Sequence, residues 1–190
     1  MPYEAEKLVI GCGNVLFKDD GFGYYVIKAI DEYFGIKSEN DTTNDSYDPF
    51  SLPEENWNKI IEALNERLKI KEKPDETLFI DAGMSSTYDI FSLPNEKWKK
   101  IIVVDIVAFG AEPGTLKYFS PYEIPRGKYE NAHSWPIEEP LQDLTEKMDI
   151  EIKIVGCQPA EVSSPDVVVG LTEPVEKAIP EAVEMILKEL

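Results

Sequence analysis

Three separated residues carry side chains that could do chemistry together. Asp20 lies in Gly11-Cys-Gly-Asn-Val-Leu-Phe-Lys-Asp-Asp-Gly-Phe-Gly23, Asp105 in Ile101-Ile-Val-Val-Asp-Ile106, and His133 is the only histidine. Two carboxylates and one imidazole form a mixed oxygen and nitrogen ligand set for a divalent transition metal, provided the fold brings them together. Each has a plainer alternative. Asp19 or Asp20 could N-cap a helix starting near Gly21, although both cannot cap the same one. Asp105 could be a polar residue at a strand end, but a carboxylate in so apolar a run is costly to bury unless paired or metal-bound. A lone histidine is more often a satisfied surface residue than a ligand.

The elements that must position these residues alternate. Leu8 to Cys12 is an apolar run ending in a glycine loop, and reads as a buried strand. From Gly21, the residues Phe22, Val26, Ala29, Ile30, Tyr33 and Phe34 recur at helical spacing, with Gly35 placed to stop the helix. The stretch from Ser38 to Pro49 is polar and acidic and reads as a loop with nothing to pack, part of an expected insertion over 38–76 in a single domain spanning 1–190. Ser51-Leu-Pro-Glu54 has capping-box spacing, predicting an amphipathic helix through Trp57, Ile60, Ile61, Leu64 and Leu68 that packs on the sheet. Thr77 to Gly83 and Lys100 to Val107 are further strands, the latter continuously apolar, as in parallel sheets covered on both faces. Leu116 to Phe119 reads as a short edge strand, Glu138 to Met148 as a helix, Glu151 to Gly156 as the last strand, and Leu171 to Leu190 as a closing amphipathic helix. The expected fold is α/β, a twisted, mostly parallel sheet of about five strands with helices on both faces. In such sheets, ligands sit beyond the carboxyl ends of the strands, where Asp19, Asp20, Asp81 and Asp105 would all converge.

Composition narrows the partners. The 190 residues are 43% hydrophobic and carry a net charge of −18, a balance that disfavours nucleic acid and anionic membrane surfaces, which both need basic residues. The first residues lack the apolar run of a signal peptide, and the stretch from Ile101 to Ala111 is too short to span a bilayer, so a soluble, cytoplasmic protein is expected. Cys12 and Cys157 lie in apolar runs beside glycine and read as buried thiols rather than a disulfide or a nucleophile. The Gly11-x-Gly13 loop invites a dinucleotide reading, but Leu16 stands where the third glycine belongs. A receiver-like phosphoacceptor would use Asp19, Asp20 and Asp105 but leaves His133 without a role.

At this point the chain resembles the [NiFe]-hydrogenase maturation endopeptidases. The shared anchors are Gly11 to Gly23, Asp81-Ala-Gly83, Val104-Asp-Ile-Val-Ala-Phe-Gly-Ala-Glu-Pro-Gly-Thr115, His133, Val155-Gly-Cys-Gln-Pro159 and Gly170-Leu-Thr-x-x-Val175. They run in the family's order and cover nearly the whole chain outside the insertion; within the family it is most similar to the methanogen proteases for the coenzyme-F420-reducing hydrogenase. The resemblance implies hydrolysis of one peptide bond near the C-terminus of a hydrogenase large-subunit precursor after nickel insertion. It implies a catalytic, metal-contacting triad of Asp20, Asp105 and His133 and no organic cofactor, with either nickel contributed by the substrate bridging to the triad or metal held at the triad polarising the scissile carbonyl. Family members often carry glutamate where Asp20 stands. Asp81 and Gly83 fall in the loop implicated in substrate recognition, where Asp81-Ala-Gly-Met84 departs from the more usual Asp-Gly-Gly-Thr. A non-catalytic scaffold or metallochaperone for the immature large subunit would use the same three residues.

Overall fold

A computed structural model describes residues 5–36, 48–83, 97–124 and 138–190. The apolar runs form five strands: β1 (Lys7–Cys12), β2 (Thr77–Gly83), β3 (Lys100–Ile106), β4 (Leu116–Phe119) and β5 (Glu151–Cys157). They lie in one sheet in the order β2-β1-β3-β5-β4. β1 runs parallel to both β2 and β3, and β3 parallel to β5, while the short β4 closes the edge antiparallel to β5. Among the described residues there are four α-helices: α1 (Phe22–Phe34), α2 (Glu54–Arg67), α3 (Glu138–Met148) and α4 (Glu173–Glu189). The expected α/β fold is therefore present, with β1 and β3 central and their carboxyl ends side by side.

Alternation along the strands divides the interior into two cores. Val9, Ile102, Val104 and Val155 face a core built with α1, α2 and α4, whereas Leu8, Ile10, Ile101, Val103 and Ile154 face a second core that takes Leu141 and Leu144 from α3. Leu8, Val9 and Ile10 are fully buried in succession, so β1 is covered on both faces, as its unbroken apolar run requires. Among the described residues, helices thus lie on both sides of the sheet, α1, α2 and α4 on one and α3 on the other.

Local sequence explains how these helices stop and start, with two corrections. Gly35 adopts the left-handed conformation, φ 65°, and its amide and that of Ile36 cap the carbonyls of Glu32 and Asp31, ending α1 where glycine was expected to do so. The capping box at Ser51 does not form. α2 opens at Glu54 after Pro53, no side chain caps it, and Ser51 is exposed. Proline drives the residue before it out of the helical region, so Leu52 and Pro53 cannot belong to the first turn that a Ser51 cap would need. Nor does α2 lie directly on the sheet: it packs on α1 and α4. Trp57 donates its indole N–H to Glu32 of α1, and Asn56 and Arg67 bond Glu176 and Glu184 of α4. The polar loop expected over 38–49 lies almost wholly outside the described residues. Among the described residues, no helix is long and apolar enough to cross a membrane.

Candidate active site

The loop after β1 is held in place by backbone contacts that only glycine allows. A Cβ on Gly23 would stand 2.4 Å from the Cys12 carbonyl oxygen and 2.7 Å from that of Val104, so the first turn of α1 rests directly on the ends of β1 and β3. Gly13 has φ 103°, and a Cβ there would lie 1.9 Å from the Asp20 carbonyl oxygen and 3.5 Å from the Asp105 carboxylate. Without a Cβ, Gly13 lets the Asp20 backbone close in beside the Asp105 carboxylate, so Asp20 from the loop and Asp105 from the end of β3 flank one place, a cradle floored by the Gly13 backbone. The glycines of the motif therefore set the close backbone approach that brings the two acids together.

Both carboxylates are fixed by backbone amides. Asp20 accepts the N–H of Asn14 at 2.9 Å, and Asp105 accepts that of Ile106 at 2.7 Å. Burial, and after it the charge of Asp20, push Asp105 up to about 8 against the opposing effect of the Ile106 amide. Burial also raises Asp20, opposed by the Asn14 amide. Two carboxyl groups that share a partly desolvated space resist carrying charge together, and a divalent cation between them relieves both costs. The cradle and its donors thus fit a metal through oxygen ligation. Among the described residues no three ligating side chains come together; His133, the third member expected from the sequence, lies outside the described residues.

The other two acidic residues do not join this pair. Asp19 is fully buried, but neither it nor Asp20 caps α1, whose N-cap is Gly21 without a side-chain bond. A 3-10 turn over Asp19–Gly21 precedes the helix and rotates the Asp19 carboxylate toward the loop between β5 and α4. There it accepts the amides of Ala160, Glu161 and Thr172 and the Thr172 hydroxyl, at 2.7 to 2.9 Å. Asp81 pairs with Gly11 at the end of β2, but its side chain is exposed. Its charge acts on Tyr24 and Asp31 of α1 rather than on Asp105. A register shift between Gly11 and Cys12 then opposes Cys12 to Gly83, whose carbonyl accepts the Gly13 amide at 3.2 Å. Such a bulge redirects a strand end, and here it brings the Gly83 backbone against the cradle. The four strand-end acids therefore share one edge of the sheet, but only Asp20 and Asp105 act on each other.

Two positioning devices had only a weak sequence signal. The Asp19 bracket was hidden by an equally good capping reading. Gln158 follows β5, and its Oε1 accepts the amides of Phe109, Gly110 and Ala111 at 2.8, 2.9 and 3.3 Å, ordering the loop that leaves Asp105. A half-buried amide acceptor facing three N–H groups is a tertiary property, and only its place in the Val155 to Pro159 run marked it. The cysteines are both buried, as expected. Burial, with a further contribution from Asp19, pushes the Cys157 thiol up to about 12, so it stays protonated and is no nucleophile.

Residues 58–189 match the family model for hydrogenase maturation protease. The whole chain is 50% identical to a protein named coenzyme F420 hydrogenase subunit delta from Methanothermobacter thermautotrophicus, over 98% of that protein. The fold is that of the hydrogenase maturating endopeptidase HybD of E. coli, with a TM-score of 0.60 at 19% identity over 97% of this chain and 91% of the other. The maturation protease HycI of Thermococcus kodakarensis shares it likewise, with a TM-score of 0.58 over 97% and 91% of the two chains at 19% identity. The sequence match over most of the chain, on a sheet whose central strands end in a paired carboxylate cradle, places this chain in the hydrogenase maturation protease family, as an endopeptidase.

Proposed function

We propose that this endopeptidase removes a C-terminal peptide from the precursor of a [NiFe]-hydrogenase large subunit after nickel has been inserted, and that its substrate is the coenzyme-F420-reducing hydrogenase. The observation that carries the reading is the Asp20 and Asp105 pair across the Gly13 cradle, held by the Asn14 and Ile106 amides. The half-identical methanogen relative, named for coenzyme F420 hydrogenase, supports the choice of substrate.

Nickel enters this scheme as cargo of the substrate. Asp20 and Asp105 repel each other and are partly desolvated, so a precursor that brings a divalent cation docks better than one that does not. That difference in affinity is the check on nickel insertion, and His133 completes the ligand set in the proposal. A metal held by these groups would supply polarisation of a carbonyl and a lowered pKa for bound water. The chain's own part is to hold two carboxylates in fixed directions beside the Gly83 backbone, with Asp81 and Gly83 at the rim where the substrate passes.

The test is the intact mass of nickel-loaded and nickel-free precursor after incubation with the wild-type protein and with His133→Ala. Loss of one C-terminal peptide only from the nickel-loaded precursor, and only with wild-type protein, is the expected result. Stable binding with unchanged mass would instead make the chain a scaffold for the immature subunit, and equal cleavage of both precursors would remove the nickel check.

A further inference from the structure

The segment before Asp20 is flanked by a strip that is unusually exposed for its composition. Phe17 forms a parallel bridge with Val168, in which Lys18 donates its amide to the Val168 carbonyl and Val168 donates to that of Leu16. On the same stretch, Lys18 bridges Val162, and Ser163 donates its amide to the Phe17 carbonyl. The strip 167–169 is thus joined to the residues that lead into the Asp19–Gly21 turn. Yet Val167, Val168 and Val169 are 64%, 40% and 42% exposed. A run of three exposed valines is costly to leave in water.

Among the described residues, nothing pairs with its outer backbone edge either. Alternation along a paired segment turns the N–H and C=O groups of Val167 and Val169 away from Phe17 once Val168 has bonded inward. Among the described residues none of these four groups has a hydrogen-bond partner. Proteins usually blunt such edges with charge, proline or cover, and 167–169 has neither charge nor proline. An edge of this kind is matched by another extended chain, with the backbone giving affinity and the side chains giving apolar contact. The reaction itself supplies one, because an endopeptidase must hold a length of substrate chain.

Resting on the function proposed above, we infer that the Val167–Val169 edge docks an extended, apolar segment of the precursor next to its scissile bond by adding it as a strand. The edge lies on the far side of the strip from Phe17, whose chain runs on to Asp20, so a chain paired there runs alongside the segment that leads to that carboxylate. The occupant is a polypeptide in extended form, not a helix, because the free groups are an alternating backbone edge.

The experiment combines amide hydrogen exchange of the wild-type protein, free and with bound precursor, with cleavage kinetics of Val169→Pro on the nickel-loaded precursor. Proline removes one outward N–H, and it follows Val168, whose bridge to Phe17 is of the β type that suits a residue before proline. Protection of the Val167 and Val169 amides on precursor binding is expected. KM for Val169→Pro should rise about fivefold to tenfold, the scale of one lost hydrogen bond, with kcat changed far less. Cleavage by Val169→Pro at wild-type KM, or binding without protection at 167 and 169, would overturn the docking edge while leaving the protease reading intact. A wild-type protein that neither binds nor cleaves the precursor would overturn the functional reading and this inference with it. If Val169→Pro melts with the wild type's Tm, its KM reports docking; if it does not fold, exchange on the wild type decides.

Discussion

Asp105 and Asp20 are held where ionisation is costly. The Asp105 carboxyl, raised from 3.8 to about 8 by burial and by the charge of Asp20, binds a proton in the folded protein that the unfolded chain has released at neutral pH. Its contribution to stability is therefore complete below about pH 4 and is lost as pH rises through about 8. Asparagine has no charge to bury. Asp105→Asn should stabilise the metal-free protein more at about pH 8 than at about pH 5, by on the order of 1–3 kcal/mol, while losing cleavage. Thermal melts at the two pH values measure this, and an equal effect at both would mean that Asp105 is not strained by burial. An engineered gain in stability from a lost active-site charge is a common sign that a site trades stability for function.

Between elements, the decisive group is Asp19. It ties the turn before α1 to the loop after β5 and to the N-terminus of α4 through both carboxylate oxygens. In Asp19→Asn, either orientation of the amide sets an NH₂ against an N–H donor, so the variant should lose about 2–4 kcal/mol in urea unfolding. A change below about 0.5 kcal/mol would show that the bracket contributes little. Asp19 also marks a limit of reading sequence alone. The strands were legible because β-branched runs buried on both faces have no other common explanation, and α1 because its stripe ends at Gly35. Two adjacent aspartates before a helix, by contrast, look alike on paper; a 3-10 turn sends one to a structural bracket and the other to the cradle. Ser51 failed as a cap for a local reason, Pro53, that outweighed a correct spacing. The packing of α2 on α1 and α4 depends on which surface remains free once α1 covers the sheet, and its amphipathic pattern carries no record of that.

Over the whole molecule, the topology does one thing for function: it sets the ends of β1 and β3 side by side, so that a loop acid and a strand acid meet across Gly13. The site was legible to that extent, since Asp20 and Asp105 stand at adjacent parallel strand ends. Asp81 shares that sheet edge as expected, but the Gly11–Cys12 register shift brings Gly83 rather than the Asp81 side chain to the cradle. Residues that act as one unit lose function together rather than additively. The most direct measurement is therefore single-turnover cleavage of nickel-loaded precursor by the wild type, Asp20→Asn, Asp105→Asn and the double variant. Each single variant should lose at least about 10³-fold, with the double variant no slower than the worse single. Cleavage by Asp105→Asn at the wild-type rate, or two losses that simply multiply, would contradict the carboxylate pair as the working centre of this protease.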